Sequence, residues 1–188
     1  GEMVLRELRE LGFQKADFQV HISTKDIIGE TGLDDVEFLF SANPGEPPKP
    51  LIRVASGGEL SRIMLAMKCI ETADPRRTPA GEGVPGGKTL IFDEVDAGVG
   101  GVTAQHVGNR LKALSRGYQV LCITHLPQIA ALADHHLKID KAVDEQRVSV
   151  EISVVTGEDR KREIARMLSG RFTEGSLRHA GELLGDQE

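Results

Sequence analysis

Three short stretches carry residues whose types and spacing could do chemistry together. The first is TLIFDE, residues 89–94, where four apolar or β-branched residues lead into Asp93 and Glu94. Two carboxylates at the carboxyl end of a buried strand lie where open α/β sheets bind ligands. Burying such a pair unpartnered is costly, so a divalent cation or a polarised water is expected beside it. In that arrangement Asp93 would hold Mg²⁺, and Glu94 would orient and deprotonate a water attacking a γ-phosphate. On its own, the run also reads as a strand end that simply reaches solvent. The second stretch is Ser56-Gly57-Gly58-Glu59, set directly before an apolar run of helical period. A helix start offers unsatisfied amides and partial positive charge, and paired glycines let an anion approach the backbone. A capping box would explain Ser56 and Glu59 but not the glycine pair, which weakens a helix start when nothing comes close to it. The third stretch is QVLCITHLPQIAALAD, residues 119–134, where another apolar strand ends in Thr124-His125 and Pro127 suits the first turn of a following helix. Alone, such a histidine reads as structural; after the other two stretches, His125 becomes a candidate donor to a phosphate oxygen.

One tempting assignment fails. Gly87-Lys88-Thr89 resembles the end of a phosphate loop, which requires Gly-x-x-x-x-Gly-Lys-[Ser/Thr] after a strand and before a helix. The first glycine should then be residue 82, which is Glu82, and Thr89 opens a β-prone run instead of a helix. Lys88 is predicted to be the loop residue that precedes a strand.

The elements that must position these residues follow from periodicity. Val4, Leu5, Leu8 and Leu11 share one helical face, so residues 1–12 are expected to be either a docked helix or the stump of a coiled coil. Residues 18–22 and 36–40 alternate like paired strands, and the prolines of 41–50 predict a loop without regular structure. A helix over 59–71 carries Leu60, Ile63, Met64, Met67 and Ile70 on a stripe expected to be core. Residues 74–88 concentrate Pro and Gly and predict an exposed, mobile loop. Strands at 89–93 and 119–124 alternate with helices at 102–115 and 127–134. Short strands near 137–139 and 147–155 and helices at 159–169 and 174–184 complete the chain. Wholly apolar strands alternating with helices predict an α/β fold, a mostly parallel sheet covered on both faces. Residues 13–188 are expected to form one domain.

Composition excludes several classes. Twenty-three basic against 29 acidic residues leave a formal charge of −6, and aromatics make up 4%. That argues against strong nucleic-acid binding by this chain alone, which rests on phosphate neutralisation and stacking. No apolar run approaches the roughly 18–20 residues of a membrane span. There is no signal-peptide layout, and an opening Gly instead of Met is expected of a piece of a longer protein. Cys69 and Cys122 lack partners at metal-ligand spacing and read as small buried hydrophobes. Arg160, Lys161, Arg162, Arg166, Arg171 and Arg178 lie among glutamates and read as a solvated face.

With these residues in view, the chain resembles a known family. Ser56-Gly57-Gly58-Glu59-Leu60-Ser61-Arg62 resembles the signature motif of ABC-type ATPases, residues 90–101 resemble Walker B running into a D-loop with Asp96, and His125 matches the switch histidine. The wording, with Glu59 where transporters carry Gln, is similar to the SMC-like bacterial DNA-repair family RecN. The resemblance implies the carboxyl-terminal lobe of an ABC-type P-loop NTPase head whose Walker A half is missing. It implies a cytoplasmic protein of the bacterial nucleoid that takes part, through its full length, in recombinational repair of DNA double-strand breaks. ATP and Mg²⁺ would be bound between two heads of a homodimer. Asp93 would serve the metal, Glu94 the water and His125 the γ-phosphate. Ser56, Gly57, Gly58, Glu59 and Asp96 would meet the nucleotide of the second head. The resemblance also implies that the amino-terminal half of the same head is a required partner, so this chain alone is expected to be inactive. A non-enzymatic dimerisation module, or part of another ABC or SMC protein, is the alternative.

Overall fold

The structure, a computed structural model, describes residues 1–53, 56–73, 88–144 and 147–185, without the side chains of 142–148. The loop expected at 74–88 lies outside the described residues except for Lys88. The chain forms two compact units, Gly1–Ile123 and Thr124–Glu188.

In the first unit, α1 (Glu2–Glu10) is a docked helix. Leu8 and Leu11 are fully buried, and α1 packs on α2 and α3. Full burial of one such side chain stabilises by about 1.5–3 kcal/mol, enough to pin a nine-residue helix too short to stand alone. Arg110 ties α1 to α3 by pairing with Glu7 at 2.9 Å and Glu10 at 2.6 Å. Strands β1 (Asp17–Gly29) and β2 (Gly32–Ser41) pair antiparallel from Asp17 opposite Ser41 to Thr24 opposite Asp34. Their base is anchored by buried Phe18 and Phe40, the latter meeting Phe13 edge-on at 5.3 Å. Within the proline-rich stretch expected to lack structure, Lys49–Pro50 forms a short edge strand, β3, against β2. An edge position tolerates proline because its absent N–H faces no further strand.

Helix α2 (Gly57–Ala73) begins at the glycine pair and buries Gly58, Arg62, Ile63, Leu65 and Ala66. The expected stripe therefore divides: Ile63 is core, whereas Leu60 and Met64 are exposed and line a groove of about 330 Å³ with Ile91. Strand β4 (Thr89–Phe92), helix α3 (Gly101–Leu114) and strand β5 (Gln119–Cys122) form a parallel crossover unit, with Thr89 opposite Gln119 and Phe92 opposite Cys122. Phe92 is 5% exposed and Ile91 68%, so one face of this pair is packed and the other is open.

In the second unit, α4 (Pro127–Ala130), α5 (Gly157–Ser169) and α6 (Glu174–Leu184) meet around Ala130, Ile164, Ala165 and Ala180. Thr173 and Ser176 form a capping box that starts α6. Strands β6 (His136–Asp144) and β7 (Arg147–Val155) make an antiparallel hairpin, with β6 longer than the sequence pattern predicts. Among the described residues, no helix is long and apolar enough to cross a membrane.

Candidate functional site around the turn after β4

Lys88 leads the strand, as expected: its carbonyl accepts from the Gln119 N–H at 3.3 Å, extending the β4–β5 ladder. Strand β4 then ends at Phe92, and Asp93 and Glu94 are both exposed. Because the pair is not buried, the desolvation argument for a cation beside it does not apply. A solvated strand end carries these carboxylates at no such cost. Among the described residues no three His, Cys, Asp or Glu gather at metal-ligand distance. The arrangement suits Mg²⁺ only in the form in which one carboxylate holds it and nucleotide phosphates supply further oxygens.

The turn itself has unusual backbone geometry. Glu94 has φ of +56°, the left-handed region that residues other than glycine seldom occupy. The Ala97 N–H donates to the Glu94 carbonyl at 2.9 Å, and the Val99 N–H to the Asp96 carbonyl at 3.3 Å. Val95 and Asp96 fold inward, at 0% and 3% exposed. Asp96, which the resemblance directs toward a second head, is thus buried here near Arg62.

The tip of α2 meets this turn. Ser56 acts as helix cap, its hydroxyl accepting from the Glu59 N–H at 3.4 Å. A Cβ on Gly57 would stand 2.6 Å from Oε2 of Glu94. One on Gly58 would stand 2.7 Å from the Ala97 Cβ and 2.9 Å from the Glu94 carbonyl. The glycine pair that a capping box left unexplained therefore has an intramolecular reason, strongest at Gly58, where a side chain would collide with the backbone of the turn, whereas at Gly57 it would displace only the Glu94 carboxylate.

Arg62, one helical turn beyond Gly58, closes the signature-like stretch and is a functional candidate to which the sequence assigned no role. Its Nη1 donates to the Ala97 carbonyl at 2.6 Å and lies 3.4 Å from that of Val95, and its guanidinium covers the Phe13 ring at 5.1 Å. Burial lowers its pKa, opposed by the charges of Glu59 and Asp96. A lone Arg in an apolar helix stripe was the available signal. Cys69 and Cys122 are half-buried, not buried as expected. Burial, then Glu7, pushes the Cys69 thiol up to about 11. Burial, then Asp96 and Asp93, pushes that of Cys122 up to about 12, so both stay protonated and unreactive.

His125 belongs to the second unit, just before α4. There the Leu126 N–H donates to the Thr124 hydroxyl at 3.0 Å, and Pro127 opens the helix. The basic residues of this unit do not all form a solvated face. Arg160 turns inward onto the carbonyls of Ala130, Ala131 and Ala133, and Arg166 pairs with buried Glu163 at 2.6 Å.

No family model matches the chain. It is 46% identical to the DNA repair protein RecN of Halalkalibacterium halodurans, over 97% of this chain and 32% of that protein. It is also 46% identical to RecN of Deinococcus radiodurans, over 97% of this chain and 30% of that protein. The identity is 40% to RecN of Bacillus subtilis, over 95% and 32%. The chain belongs to the RecN family. It spans about a third of the length of these RecN relatives. Among solved structures, the Smc head domain with a coiled coil and joint from Pyrococcus yayanosii is similar at a TM-score of 0.52 and 20% identity, covering 89% of this chain and 29% of that one. The RecN-type segment thus has the mixed α/β fold of an SMC head.

Proposed function

We propose that this chain is the carboxyl-terminal half of an ATP-hydrolysing RecN head, acting in the cytoplasm in repair of DNA double-strand breaks. The observation that carries the reading is the exposed Asp93-Glu94 pair at the carboxyl end of a parallel strand, its turn seated on the tip of α2. Exposed carboxylates can serve a nucleotide from which buried, paired ones would be withheld. Glu94 orients and deprotonates the attacking water, and His125 donates to the γ-phosphate. Asp93 would hold Mg²⁺, which supplies charge neutralisation of the phosphates when bound. Ser56, Gly57, Gly58 and Glu59 present the α2 tip to the nucleotide of a second head. Asp96 steadies that approach from inside the turn.

The amino-terminal half of the head supplies the phosphate loop. It also covers the open face of β4 and β5, where Ile91, Leu121 and Ile123 are exposed although parallel strands are found covered on both sides. The chain alone is expected to hydrolyse no ATP, and addition of the amino-terminal half to restore hydrolysis. Glu94→Gln should then abolish turnover while ATP binding and ATP-dependent association persist. Robust Glu94-dependent hydrolysis by the chain alone, or no hydrolysis by the pair, would overturn the reading. Association that needs no ATP and survives Ser56→Arg would favour a docking module instead.

A further inference from the structure

We propose that Arg62 is a positioning residue locking the α2 tip to the turn that carries Glu94, so that the surface meeting a second head's nucleotide and the carboxylate serving its own move as one body. The inference rests on the catalytic reading of that turn given above.

The guanidinium of an arginine that is only 7% exposed as a residue must find acceptors or remain costly. Arg62 finds them in the backbone of the turn, at Ala97 and more distantly Val95, the residues that flank Asp96. Its Nε is buried without a partner, an expense that an apolar side chain at the same position would avoid. On its other side the guanidinium rests on Phe13, which is braced in turn by Phe40. Arg62 is therefore held from behind while it holds the turn in front. Gly58 supplies the clearance that lets helix and turn approach so closely. The turn needs such a restraint, because Glu94 at φ of +56° would relax elsewhere if released. A push on the α2 tip by an arriving head is thus passed through Arg62 to Ala97 and so to Glu94. Lysine cannot substitute: its ammonium lacks both the planar fork and the flat face that lies on Phe13.

The test uses Arg62→Lys and Arg62→Met, each combined with the amino-terminal half of the head. Nucleotide affinity, KM and kcat are measured beside hydrogen exchange at the Ala97 and Val99 amides. Nucleotide affinity and KM are expected within about twofold of the parent, with kcat about tenfold lower or more in both variants. Exchange should quicken at Ala97 while the β4–β5 ladder stays protected. A kcat within about threefold of the parent would overturn the proposal, as would equal loss of protection across β4 and β5, which would make Arg62 a general support. Should Arg62→Met fail to fold, Arg62→Lys decides, since it keeps the charge and most of the stem. A parent pair without Glu94-dependent hydrolysis removes the catalytic reading and this proposal with it, and differs visibly because the parent itself is then inactive.

Discussion

Two arginines in this chain donate to backbone carbonyls from partly enclosed positions, and the backbone they hold differs. Arg160 reaches Ala130, Ala131 and Ala133 at 3.3, 3.0 and 2.6 Å. It finishes α4, a helix of four residues whose carboxyl end carries partial negative charge and welcomes a positive one. Arg62 makes the same kind of bond to a turn containing a left-handed glutamate. In the first case the guanidinium completes a conformation the chain already favours. In the second it maintains one the chain would otherwise leave. One chemistry can therefore finish a helix or hold strained backbone, and only the local φ tells which.

The contrast can be broken by mutation. Arg62→Met should cost about 3 kcal/mol in the first unit, because the Ala97 carbonyl is left unpaired and the contact on Phe13 is lost. Denaturant unfolding measures it, and a loss no larger than that at Arg160 would erase the distinction. Gly58→Ala should cost about 2 kcal/mol by forcing the turn away from α2, whereas Gly57→Ala, which meets only a flexible carboxylate tip, should cost well under half of that. Arg160→Met should cost about 1 kcal/mol, since water can reach the freed carbonyls. The smallest effect concerns acid. Burial, then the charge of Arg160, lowers the pKa of His136, with Glu163 opposing. A histidine depressed in the folded state binds fewer protons there than when unfolded, so its contribution is intact above about pH 6.5 and falls as pH drops below it. Removing Arg160 relieves part of that depression. The fall in Tm between pH 7.5 and 5.5 should accordingly be shallower in Arg160→Met, and an unchanged slope would deny the coupling.

Much of the fold was legible because period and punctuation agree. The strands before Asp93 and after Tyr118, the helix after Ser56 and the two closing helices all lie close to where apolar spacing places them. Exposure was less legible. Leu60 and Met64 fit a core stripe by spacing, yet they face an open groove, and spacing alone does not say which of two apolar faces finds a partner. The carboxylates show the same limit, since the apolar run predicts their place at the strand end but not their solvation. Arg62 was hidden for another reason: its partners are carbonyls some 35 residues away, and backbone acceptors leave no mark in a sequence. The glycine pair was visible, and its intramolecular reason was not, because that depends on a turn formed by residues 94–97.

On the proposed function, folding and chemistry ask for different residues at position 94. Glycine would rest there comfortably, and asparagine nearly so; glutamate does not. Glu94→Gly should leave a protein firmer by about 1 kcal/mol and, on the proposed function, without ATP turnover when joined by the amino-terminal half. A screen that rewarded heat resistance alone would discard the natural side chain.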